Sequence, residues 1–376
     1  MENNLKHIEN LISAQLKRIK KIKENQQFTD FKKLDKIVIG TANGDGIGPV
    51  IMDATLKVLK NLLTKEISSG KIEIREIEGL TIENRVAKLQ AVPDDVLSAI
   101  RECNVLLKGP TTTPGKKDNL PNIESANVTL RKELDLFANV RPVKVLEKNI
   151  DWIFFRENTE GEYALGSQGI EIDDEIAVDF KIITDVGTRR IAEAAFNYAK
   201  SNGNLNVSII TKANIMKKTD GKFLEVCYDI SKKYPEIKTD DWYVDICAAN
   251  LINPALQSSF NVFLLPNLYG DIITDEAAQL QGGVGTAGSA NIGSKYAMFE
   301  AVHGSAPRMV KEGISKYASP ASLLKASEMM LRHVGYTAHA DKLESLIELA
   351  NNSLNMSGDG KGNTAAEFAD FINDRC

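Results

Sequence analysis

The sequence predicts an α/β protein built around a parallel sheet. Apolar, strand-like runs alternate with segments of helical spacing along most of the chain, which is the pattern of a parallel sheet with crossover helices. The alternation starts with a buried-strand pattern at residues 36–40, followed by a loop and a helix in which Pro49 stands at the start. The length of 376 residues fits two domains or one large α/β unit.

The later elements continue the same alternation. Further strands are predicted at residues 71–77, 104–108, 152–156, 207–211 and 261–266. Further helices are predicted after Pro93 and Asp94 and at residues 189–202, 223–233 and 319–334. Residues 171–183 alternate polar and apolar side chains, which indicates an antiparallel excursion.

Residues 1–33 differ from the rest, with eight Lys or Arg against four Asp or Glu. Their apolar residues recur at helical spacing and predict an amphipathic helix: Leu5, Ile8, Leu11, Ile12, Leu16, Ile19 and Ile22. A packing extension or flexible tail is the favoured interpretation, and a membrane-surface, partner or targeting helix is the alternative. Glu2 and Glu9 count against a mitochondrial presequence, which is poor in acids.

Composition excludes several classes of protein. The chain has no run of eighteen apolar residues, so no membrane span is expected. A net charge of −5 gives no reason to expect nucleic acid as a partner. The four cysteines lack zinc spacing and fit a reducing compartment: Cys103, Cys227, Cys247 and Cys376. No secretory signal is recognised, so we expect a cytoplasmic protein, with the mitochondrial matrix as the alternative.

Two glycine-rich segments are candidate ligand loops. Residues 44–48 read Gly-Asp-Gly-Ile-Gly between a strand and a helix, but the third glycine comes one residue early for a dinucleotide fingerprint. A tight turn is therefore as good an interpretation as a ligand loop, and no Rossmann domain is inferred. Residues 282–293 and 299–307 hold many small residues and His303, which suits either a plain loop or a cradle for a phosphate.

Three arginines follow a polar pair and are candidates for holding carboxylates. Arg131, Arg141 and Arg156 lie near predicted element ends, and Ser125 and Asn127 stand just before Arg131. The guanidinium group stays protonated and binds a carboxylate through two hydrogen bonds. The competing interpretation is three solvated surface arginines.

Carboxylates and one lysine suggest metal and proton chemistry. If a helix begins near Gly270, Asp271 and Asp275 lie one turn apart on one face and together would suit Mg²⁺ or Mn²⁺. Helix capping by aspartate is the alternative. Asp245, after a strand-like run, is a possible third ligand. Lys212 ends an apolar strand, where a lysine acts as a base if desolvated and is otherwise a solvated charge.

Five ordered segments resemble the β-decarboxylating dehydrogenases, the family of isocitrate, 3-isopropylmalate, homoisocitrate and tartrate dehydrogenases. The resemblance covers residues 36–376 and rests on residues 44–49 (Gly-Asp-Gly-Ile-Gly-Pro), 130–143 (Leu-Arg-Lys-Glu-Leu-Asp-Leu-Phe-Ala-Asn-Val-Arg-Pro-Val), 156–163 (Arg-Glu-Asn-Thr-Glu-Gly-Glu-Tyr), 267–275 (Asn-Leu-Tyr-Gly-Asp-Ile-Ile-Thr-Asp) and 300–307 (Glu-Ala-Val-His-Gly-Ser-Ala-Pro). It implies that family's α/β fold, which is not a Rossmann fold, with the active site in a cleft between a large and a small domain. The implied bounds are an extension at 1–33, a large cofactor-side domain at 34–136 plus 283–376, and a small domain at 137–282 with the metal and the dimer interface.

The resemblance also implies roles for individual residues. Asp245, Asp271 and Asp275 would hold Mg²⁺ or Mn²⁺, and Tyr163 and Lys212 would handle protons together with Asp245. Substrate binding would fall to Ser125, Asn127, Arg131, Arg141, Arg156 and Asn214. Cofactor binding would fall to Thr112, Glu300, His303, Gly304, Ser305, Ala306, Arg308 and Ser319. In the family the lysine and the first aspartate serve the neighbouring subunit's site, which implies a homodimer or higher oligomer.

The resemblance narrows the substrate and the cofactor. The hydroxyl and amide of Ser125 and Asn127 match isocitrate enzymes and favour isocitrate over homoisocitrate and 3-isopropylmalate. Arg308-Met309 stands where NAD enzymes carry Asp and NADP enzymes carry Lys-Tyr, and the pattern at 359–363 favours NAD. A longer loop at 113–125, with Lys116, Lys117 and Asp118, departs from some isocitrate enzymes. A non-catalytic regulatory subunit beside a related chain is the remaining alternative.

Overall fold

A computed structural model describes residues 2–24, 27–115, 120–203, 205–283 and 286–376. Its strands are β1 (Ile37–Ala42), β2 (Ile72–Glu76), β3 (Val105–Lys108), β4 (Ala138–Val145), β5 (Ile150–Glu157), β6 (Ile170–Ile172), β7 (Ile176–Val178), β8 (Val207–Thr211), β9 (Thr239–Tyr243), β10 (Val262–Leu265), β11 (Gly288–Ile292) and β12 (Ala297–Ala301). The strands predicted from the sequence are all present, and residues 171–183 begin with the antiparallel pair β6–β7.

The helices are α1 (Glu2–Glu24), α2 (Gly48–Leu62), α3 (Thr64–Ser68), α4 (Ile82–Ala87), α5 (Asp94–Arg101), α6 (Ala126–Glu133), α7 (Asp185–Ser201), α8 (Thr219–Ser231), α9 (Val244–Leu251), α10 (Pro254–Gln257), α11 (Asn267–Leu280), α12 (Pro307–Lys311), α13 (Ala321–His333), α14 (Thr337–Ser353) and α15 (Ala365–Asn373). None of these described helices has the length and apolar character needed to cross a bilayer. The fold is mixed α/β, as predicted.

The chain divides into two compact units. The first unit comprises residues 1–28 and 137–281, and the second comprises residues 29–136 and 282–376. Strand order is β4-β5-β10-β8-β9 in the first unit and β2-β1-β3-β12-β11 in the second. The strands in each unit are mostly parallel, as predicted, but β4–β5 and β11–β12 pair antiparallel. These two pairs join strands that are adjacent along the chain, whereas parallel neighbours need a long crossover.

One edge of the first unit's sheet collects polar residues. Strands β5, β10, β8 and β9 are mutually parallel, so their carboxyl ends meet at the same edge. Arg156 lies at the end of β5, α11 follows β10, Lys212 follows β8, and Asp245 follows β9. Ligands of open α/β sheets bind at the carboxyl ends of the strands. The topology therefore places the predicted chemistry of the first unit along one edge.

Each unit has its own apolar core beneath these elements. In the first unit Trp152, Phe154, Phe260 and Phe263 are buried together, and the rings of Phe154 and Phe263 stack with centroids 4.4 Å apart. In the second unit, α5 and α6 pack apolar side chains such as Ile100 and Leu130 against β3 residues such as Leu106. All four cysteines are free thiols, and three of them are buried as small apolar side chains.

Candidate functional site

The carboxylate pair Asp271 and Asp275 lies on α11. This helix begins at Asn267, three residues before the predicted start, with Pro266 as its N-cap. Asp271 is therefore in the second turn, and no side chain makes a capping hydrogen bond at this helix start. Capping as an explanation for Asp271 is wrong. The two carboxylates lie one turn apart on one face of the helix, as the sequence predicts.

Two buried arginines contact these carboxylates. Arg141 Nη1 donates to Asp275 Oδ1 at 3.1 Å and to the Thr274 hydroxyl at 2.7 Å. Arg156 Nη1 donates to Asp271 Oδ1, and Arg141 Nη2 lies 3.8 Å from the same oxygen. Both side chains are almost excluded from solvent. The alternative of solvated surface arginines is therefore wrong for this pair.

Asn267 and Tyr163 complete this arrangement. Asn267 Oδ1 accepts hydrogen bonds from Arg156 Nε at 3.0 Å and Nη2 at 2.6 Å, which fixes the plane of the guanidinium. The Tyr163 hydroxyl donates to Asp271 Oδ2 at 2.9 Å, and its ring lies under the Arg156 guanidinium at 5.5 Å. We call Arg141, Arg156, Tyr163, Asp271 and Asp275 the carboxylate–arginine cluster.

Lys212 and Asp245 form a separate ion pair. Lys212 Nζ lies 2.5 Å from Asp245 Oδ1, and the hydrogen bond from Lys212 lowers the pKa of Asp245. The backbone of Lys212 is held by the buried carboxylate of Asp220, which accepts from the Lys212 amide at 2.7 Å. Asn214 lies in the exposed turn that follows. Lys212 is thus a paired lysine on a fixed backbone and not a freely solvated one.

The donor set suits a hard divalent cation only in part. Asp271 and Asp275 offer carboxylate oxygens on one side of α11, the ligand type that Mg²⁺ prefers. Among the described residues, no three His, Cys, Asp or Glu side chains are arranged to hold a metal ion. Asp245 contacts Lys212 in its own chain. A complete site therefore needs donors beyond these two carboxylates, from water, from substrate or from another copy of the chain.

The second unit places Ser125, Asn127 and Arg131 at one helix. Ser125 precedes α6 without a capping bond from its side chain, and Asn127 and Arg131 lie one turn apart on that helix. Asn127 Oδ1 accepts from the Thr111 hydroxyl at 3.2 Å. Arg131 is buried and donates to Glu300 Oε1 at 3.3 Å. All three residues are held within the second unit.

Glu300 lies at the centre of a buried ion cluster with Lys108 and Arg131. Lys108 Nζ is 3.2 Å from Glu300 Oε2, and Asn291 donates to Oε1 at 2.9 Å. Burial opposes ionisation of Glu300, but the charges of Lys108 and Arg131 and the Asn291 bond outweigh it and lower its pKa to about 2. Burial lowers the pKa of Lys108. Glu300 is thus an ionised carboxylate held between two cations.

A cavity of about 480 Å³ lies beside the glycine-rich loop of the second unit. Gly44 and Gly46 line it together with Thr112 and Ser305, whose hydroxyls lie 2.8 Å apart. Both glycines have positive φ, and a Cβ on either would meet a backbone carbonyl oxygen within 2.2 Å. Asp45 ties the loop down by accepting from the amides of Ile82 and Thr112 at 2.7 Å each. The volume is in the range of small-ligand sites.

The other predicted cofactor residues lie in the segment after β12. A ring nitrogen of His303 lies 3.0 Å from the Gly304 carbonyl, and burial lowers the pKa of His303. Ala306 adopts a left-handed backbone, φ +47°, at the start of α12. Arg308 pairs with Glu312 on the exposed side of this helix, and the Ser319 hydroxyl accepts from the Ala321 amide.

Sequence reasoning missed several residues that organise these sites. In the sequence, Lys108 is an ordinary lysine at the end of a strand. In the structure it is buried and pairs with Glu300, which is distant in sequence. Arg85 on α4 is fully buried and donates to the carbonyls of Ala91, Thr112 and Glu124. No local pattern marks either residue. Asn267 carried a signal, because it opens the fourth motif immediately after a buried strand.

Two predicted features fall outside the described residues. The lysines and the aspartate at 116–118 belong to a segment that the structure does not describe. The same holds for residues 284–285 in the second glycine-rich segment.

Comparisons with known proteins agree on one family. The model of the isocitrate/isopropylmalate dehydrogenase family matches residues 38–374. Isocitrate dehydrogenase [NAD] catalytic subunit 5, mitochondrial, of Arabidopsis thaliana is 41% identical over 88% of this chain and 86% of its own length. The chloroplastic 3-isopropylmalate dehydrogenase of Solanum tuberosum is 42% identical over 81% of this chain and 82% of its own length.

A solved structure agrees with these sequence relatives. The crystal structure of isocitrate dehydrogenase from Methylococcus capsulatus superimposes with a TM-score of 0.78 at 35% identity, covering 90% of this chain and 99% of that one. The matched region includes the carboxylate–arginine cluster, the Lys212–Asp245 pair and the cavity-lining loop. The chain belongs to the isocitrate/isopropylmalate dehydrogenase family.

Proposed function

We propose that the chain is an active isocitrate dehydrogenase that uses NAD and Mg²⁺ or Mn²⁺. The reaction oxidises the C2 hydroxyl of isocitrate, passes the hydride to nicotinamide and releases the β-carboxylate as CO₂, leaving 2-oxoglutarate. The carboxylate–arginine cluster is the observation that supports this most, because it combines cations for substrate carboxylates, a phenol and two metal-type carboxylates.

Arg141 and Arg156 would hold substrate carboxylates in this reaction. Both guanidinium groups are buried and prepositioned, by Thr274 for Arg141 and by Asn267 for Arg156. In the structure they pair with Asp275 and Asp271, so anionic partners already occupy their donors. A cation on those two carboxylates would release the arginines to a tricarboxylate substrate.

Asp271 and Asp275 would bind the divalent ion, with Asp245 of a second copy as the third carboxylate. The bound ion would polarise the C2 hydroxyl oxygen and lower its pKa. The proposal rests on oxygen-only donors one turn apart and on the exposure of Asp275, whose side chain is 58% accessible.

Lys212 and Tyr163 would move the protons. Lys212 would relay the hydroxyl proton: its ammonium would give a proton to Asp245, 2.5 Å away, and its nitrogen would take up the proton of the substrate hydroxyl. Loss of CO₂ leaves the bonding electron pair on the neighbouring carbon, and the Tyr163 hydroxyl would donate a proton there. Asp271 accepts the hydrogen bond of that hydroxyl and so sets its direction.

Ser125 and Asn127 favour isocitrate over an alkyl-substituted substrate. Both offer hydrogen-bonding groups beside Arg131, and the Thr111 contact orients the Asn127 amide. A site that hydrogen-bonds a polar group discriminates strongly against an apolar replacement. Asn214, exposed after Lys212, would act at the nicotinamide end of the substrate.

The second-unit cavity is the proposed place for part of the cofactor. Thr112 and Ser305 line it, and His303, Gly304, Ala306 and Ser319 lie in the segment around α12 that carries its other wall. Arg308 is exposed and donates to Glu312 at 2.7 Å, a surface ion pair that a 2′-phosphate could replace. The preference for NAD therefore rests on Met309 and on the pattern at residues 359–363.

We propose a homodimer as the working form. Six large apolar side chains are 37% to 66% exposed in the first unit, in the turn after Lys212, at the end of β9, on and just after α9, and on α11: Ile215, Met216, Tyr243, Ile246, Ile252 and Ile272. A surface this apolar marks an interaction site in a folded protein. Covering it with a second copy would also desolvate Lys212, as a general base requires. Cytoplasmic location stays a prediction.

Turnover of purified protein tests this proposal directly. The full-length chain is assayed with Mg²⁺, with NAD and NADP, and with isocitrate, homoisocitrate and 3-isopropylmalate. We expect the highest kcat/KM for isocitrate with NAD, and mass measurement in solution should give a dimer. A higher kcat/KM for another pair would reassign the substrate or cofactor. Absence of turnover together with ligand-dependent activation of a related chain would replace the proposal with a regulatory subunit.

A further inference from the structure

The N-terminal helix α1 lies outside the matched family region yet is built into the first unit. The family match starts at residue 38, whereas α1 spans Glu2–Glu24. Leu11 and Ile22 of α1 are buried in the first unit, and the helix packs against α7. Buried apolar side chains show that α1 is a packed element of this unit.

Two polar contacts attach α1 to both ends of one short segment. Arg18 donates to the Thr159 hydroxyl at 2.9 Å and to Glu160 Oε1 at 3.1 Å. A ring nitrogen of His7 lies 3.0 Å from the Gln168 carbonyl. On a helix these two anchors are about 16 Å apart, at 1.5 Å per residue. The segment between the contacts, residues 159–168, carries Tyr163, and we call it the Tyr163 segment.

Arg18 also serves a pair of buried carboxylates at the start of this segment. Glu157 and Glu160 are both almost completely excluded from solvent. Glu157 accepts from the amides of Thr159 and Glu160, and Glu160 accepts from the Thr184 amide. Burial and the charge of Glu160 raise the pKa of Glu157 to about 7, and Arg18 opposes that shift. Two buried carboxylates so placed need a nearby cation if both are to ionise, and Arg18 supplies one.

From Glu160 the contacts lead to the carboxylate–arginine cluster. Asn267 Nδ2 donates to the Glu160 carbonyl at 3.1 Å, and Asn267 Oδ1 accepts from Arg156. Gly161 packs so closely on Asn267 that a Cβ at Gly161 would lie 3.0 Å from Asn267 Cβ. Movement of the Tyr163 segment would thus displace both Arg156 and Tyr163.

We propose that α1 is part of the catalytic apparatus and that Arg18 is a positioning residue for Tyr163 and Arg156. The role in turnover rests on the proposed function, whereas the ordering of the Tyr163 segment does not. Helix α1 contacts the Tyr163 segment at both of its ends. Arg18 supplies a positive charge opposite Glu157 and Glu160, the buried carboxylates at the start of that segment.

Kinetics of Arg18→Gln in the full-length chain test the catalytic part. We expect kcat/KM to fall by about 10- to 100-fold, the range for residues that orient functional groups, with kcat itself reduced. Arg18→Lys, which keeps the charge, should restore most of the loss. Lys17→Gln is the matched control, because it removes the same charge from an exposed neighbour on α1. A purely structural role would lower Tm but leave the kcat of the folded fraction unchanged, and that result would overturn the inference.

Hydrogen exchange tests the ordering without turnover. In Arg18→Gln the amides of Thr159, Glu160 and Thr184, which bond to the two buried carboxylates, should exchange at least several-fold faster than in wild type. If the wild-type protein has no dehydrogenase activity but Arg18→Gln still exchanges faster than wild type, the proposed function is wrong and the ordering of the Tyr163 segment stands. Unchanged exchange and kinetics in an active enzyme would sink the inference alone. If Arg18→Gln does not fold, His7→Ala weakens the other anchor without leaving a buried charge unpaired, and unchanged exchange there would count against the inference.

Discussion

The Tyr163 hydroxyl and the Asp271 carboxylate are joined by a 2.9 Å hydrogen bond. Arg156 donates to the other oxygen of the same carboxylate. One carboxylate therefore orients both the proposed proton donor and a proposed substrate arginine. Any cation that binds Asp271 would change the hydrogen bonding of both groups at once. Metal binding would therefore be coupled to the orientation of the Tyr163 hydroxyl.

Replacing Tyr163 with Phe should lower kcat by about 10²- to 10⁴-fold, the usual range for a general acid. The ring would keep its place under Arg156, so KM for isocitrate should change little. Steady-state kinetics at saturating metal measure both parameters. Tyr198→Phe is the control, since it removes the same group from α7 in the first unit. Near-normal kcat in Tyr163→Phe would remove Tyr163 from the proton pathway.

Replacing Lys212 with Met should also lower kcat by about 10²- to 10⁴-fold, because the proposed acceptor of the hydroxyl proton is gone. Lys217→Met, an exposed lysine in the next turn, should leave kcat within twofold, an approximate bound for a surface change. Tm should stay close to wild type in both variants, since neither side chain is buried within its own chain. Normal turnover in Lys212→Met would show that the base lies elsewhere.

Replacing Asp275 with Asn should weaken Mg²⁺ binding at least about tenfold, because affinity for a hard cation follows the charge of its ligands. The readout is the rise of Tm with added Mg²⁺, which needs no turnover. Glu276→Gln removes a carboxylate from the next position on α11 and should leave the Mg²⁺ response unchanged. An equal Mg²⁺ response in Asp275→Asn and wild type would contradict the metal assignment.

Replacing Asn127 with Leu should lower kcat/KM for isocitrate by roughly 5- to 150-fold, equivalent to about 1–3 kcal/mol for a buried polar group left without its partner. The value for 3-isopropylmalate should fall less or rise. Thr129→Val, on the other side of α6, is the control. Equal losses for both substrates would mean that Asn127 does not choose between them.

Acidification should destabilise the fold through His333. The imidazole lies between the rings of Phe31 and Phe299, with centroids 5.0 and 5.6 Å away, and burial lowers its pKa to about 4. Below its ordinary value of 6.5 the unfolded chain binds a proton that the folded chain does not. This contribution to stability is complete above pH 6.5 and is lost as the pH falls toward 4.

Urea unfolding between pH 7 and 4.5 measures that loss, which amounts to at most about 3 kcal/mol at 1.36 kcal/mol per pKa unit. His333→Leu should flatten the dependence of unfolding free energy on pH in this interval. A His333→Leu curve parallel to that of wild type would contradict the assignment.

Much of the fold follows from local pattern. Strand β8 has the predicted bounds, because Val207–Thr211 is rich in β-branched residues and is buried on both faces. The sequence predicts the start of α11 three residues too late, since Pro266 serves as its N-cap and the following Asn-Leu-Tyr does not resemble a helix start. Strands β11 and β12 pair locally within residues 288–301, but this segment is so rich in small residues that its periodicity does not predict a strand pair.

Site residues that lie within a recognisable sequence motif could be predicted. Tyr163, Asp271 and Arg156 fall in two motifs and meet in the structure. Arg18 carries no such signal, because an amphipathic helix displays many similar basic residues and its partners lie more than 140 positions away. Buried ion pairs such as Lys108–Glu300 are likewise set by tertiary packing, which composition and spacing do not encode.

The Arg131–Glu300 contact has a thermodynamic consequence. Arg131 is predicted to hold a substrate carboxylate and Glu300 to bind the cofactor, yet the two share one ion pair of 3.3 Å. A substrate carboxylate that draws Arg131 away leaves Glu300 with Lys108 and Asn291, and so alters the charge offered to the cofactor. Linkage is reciprocal, so the cofactor must change substrate affinity by the same factor. Through Arg131, binding of either ligand would change the affinity for the other without any movement of the backbone.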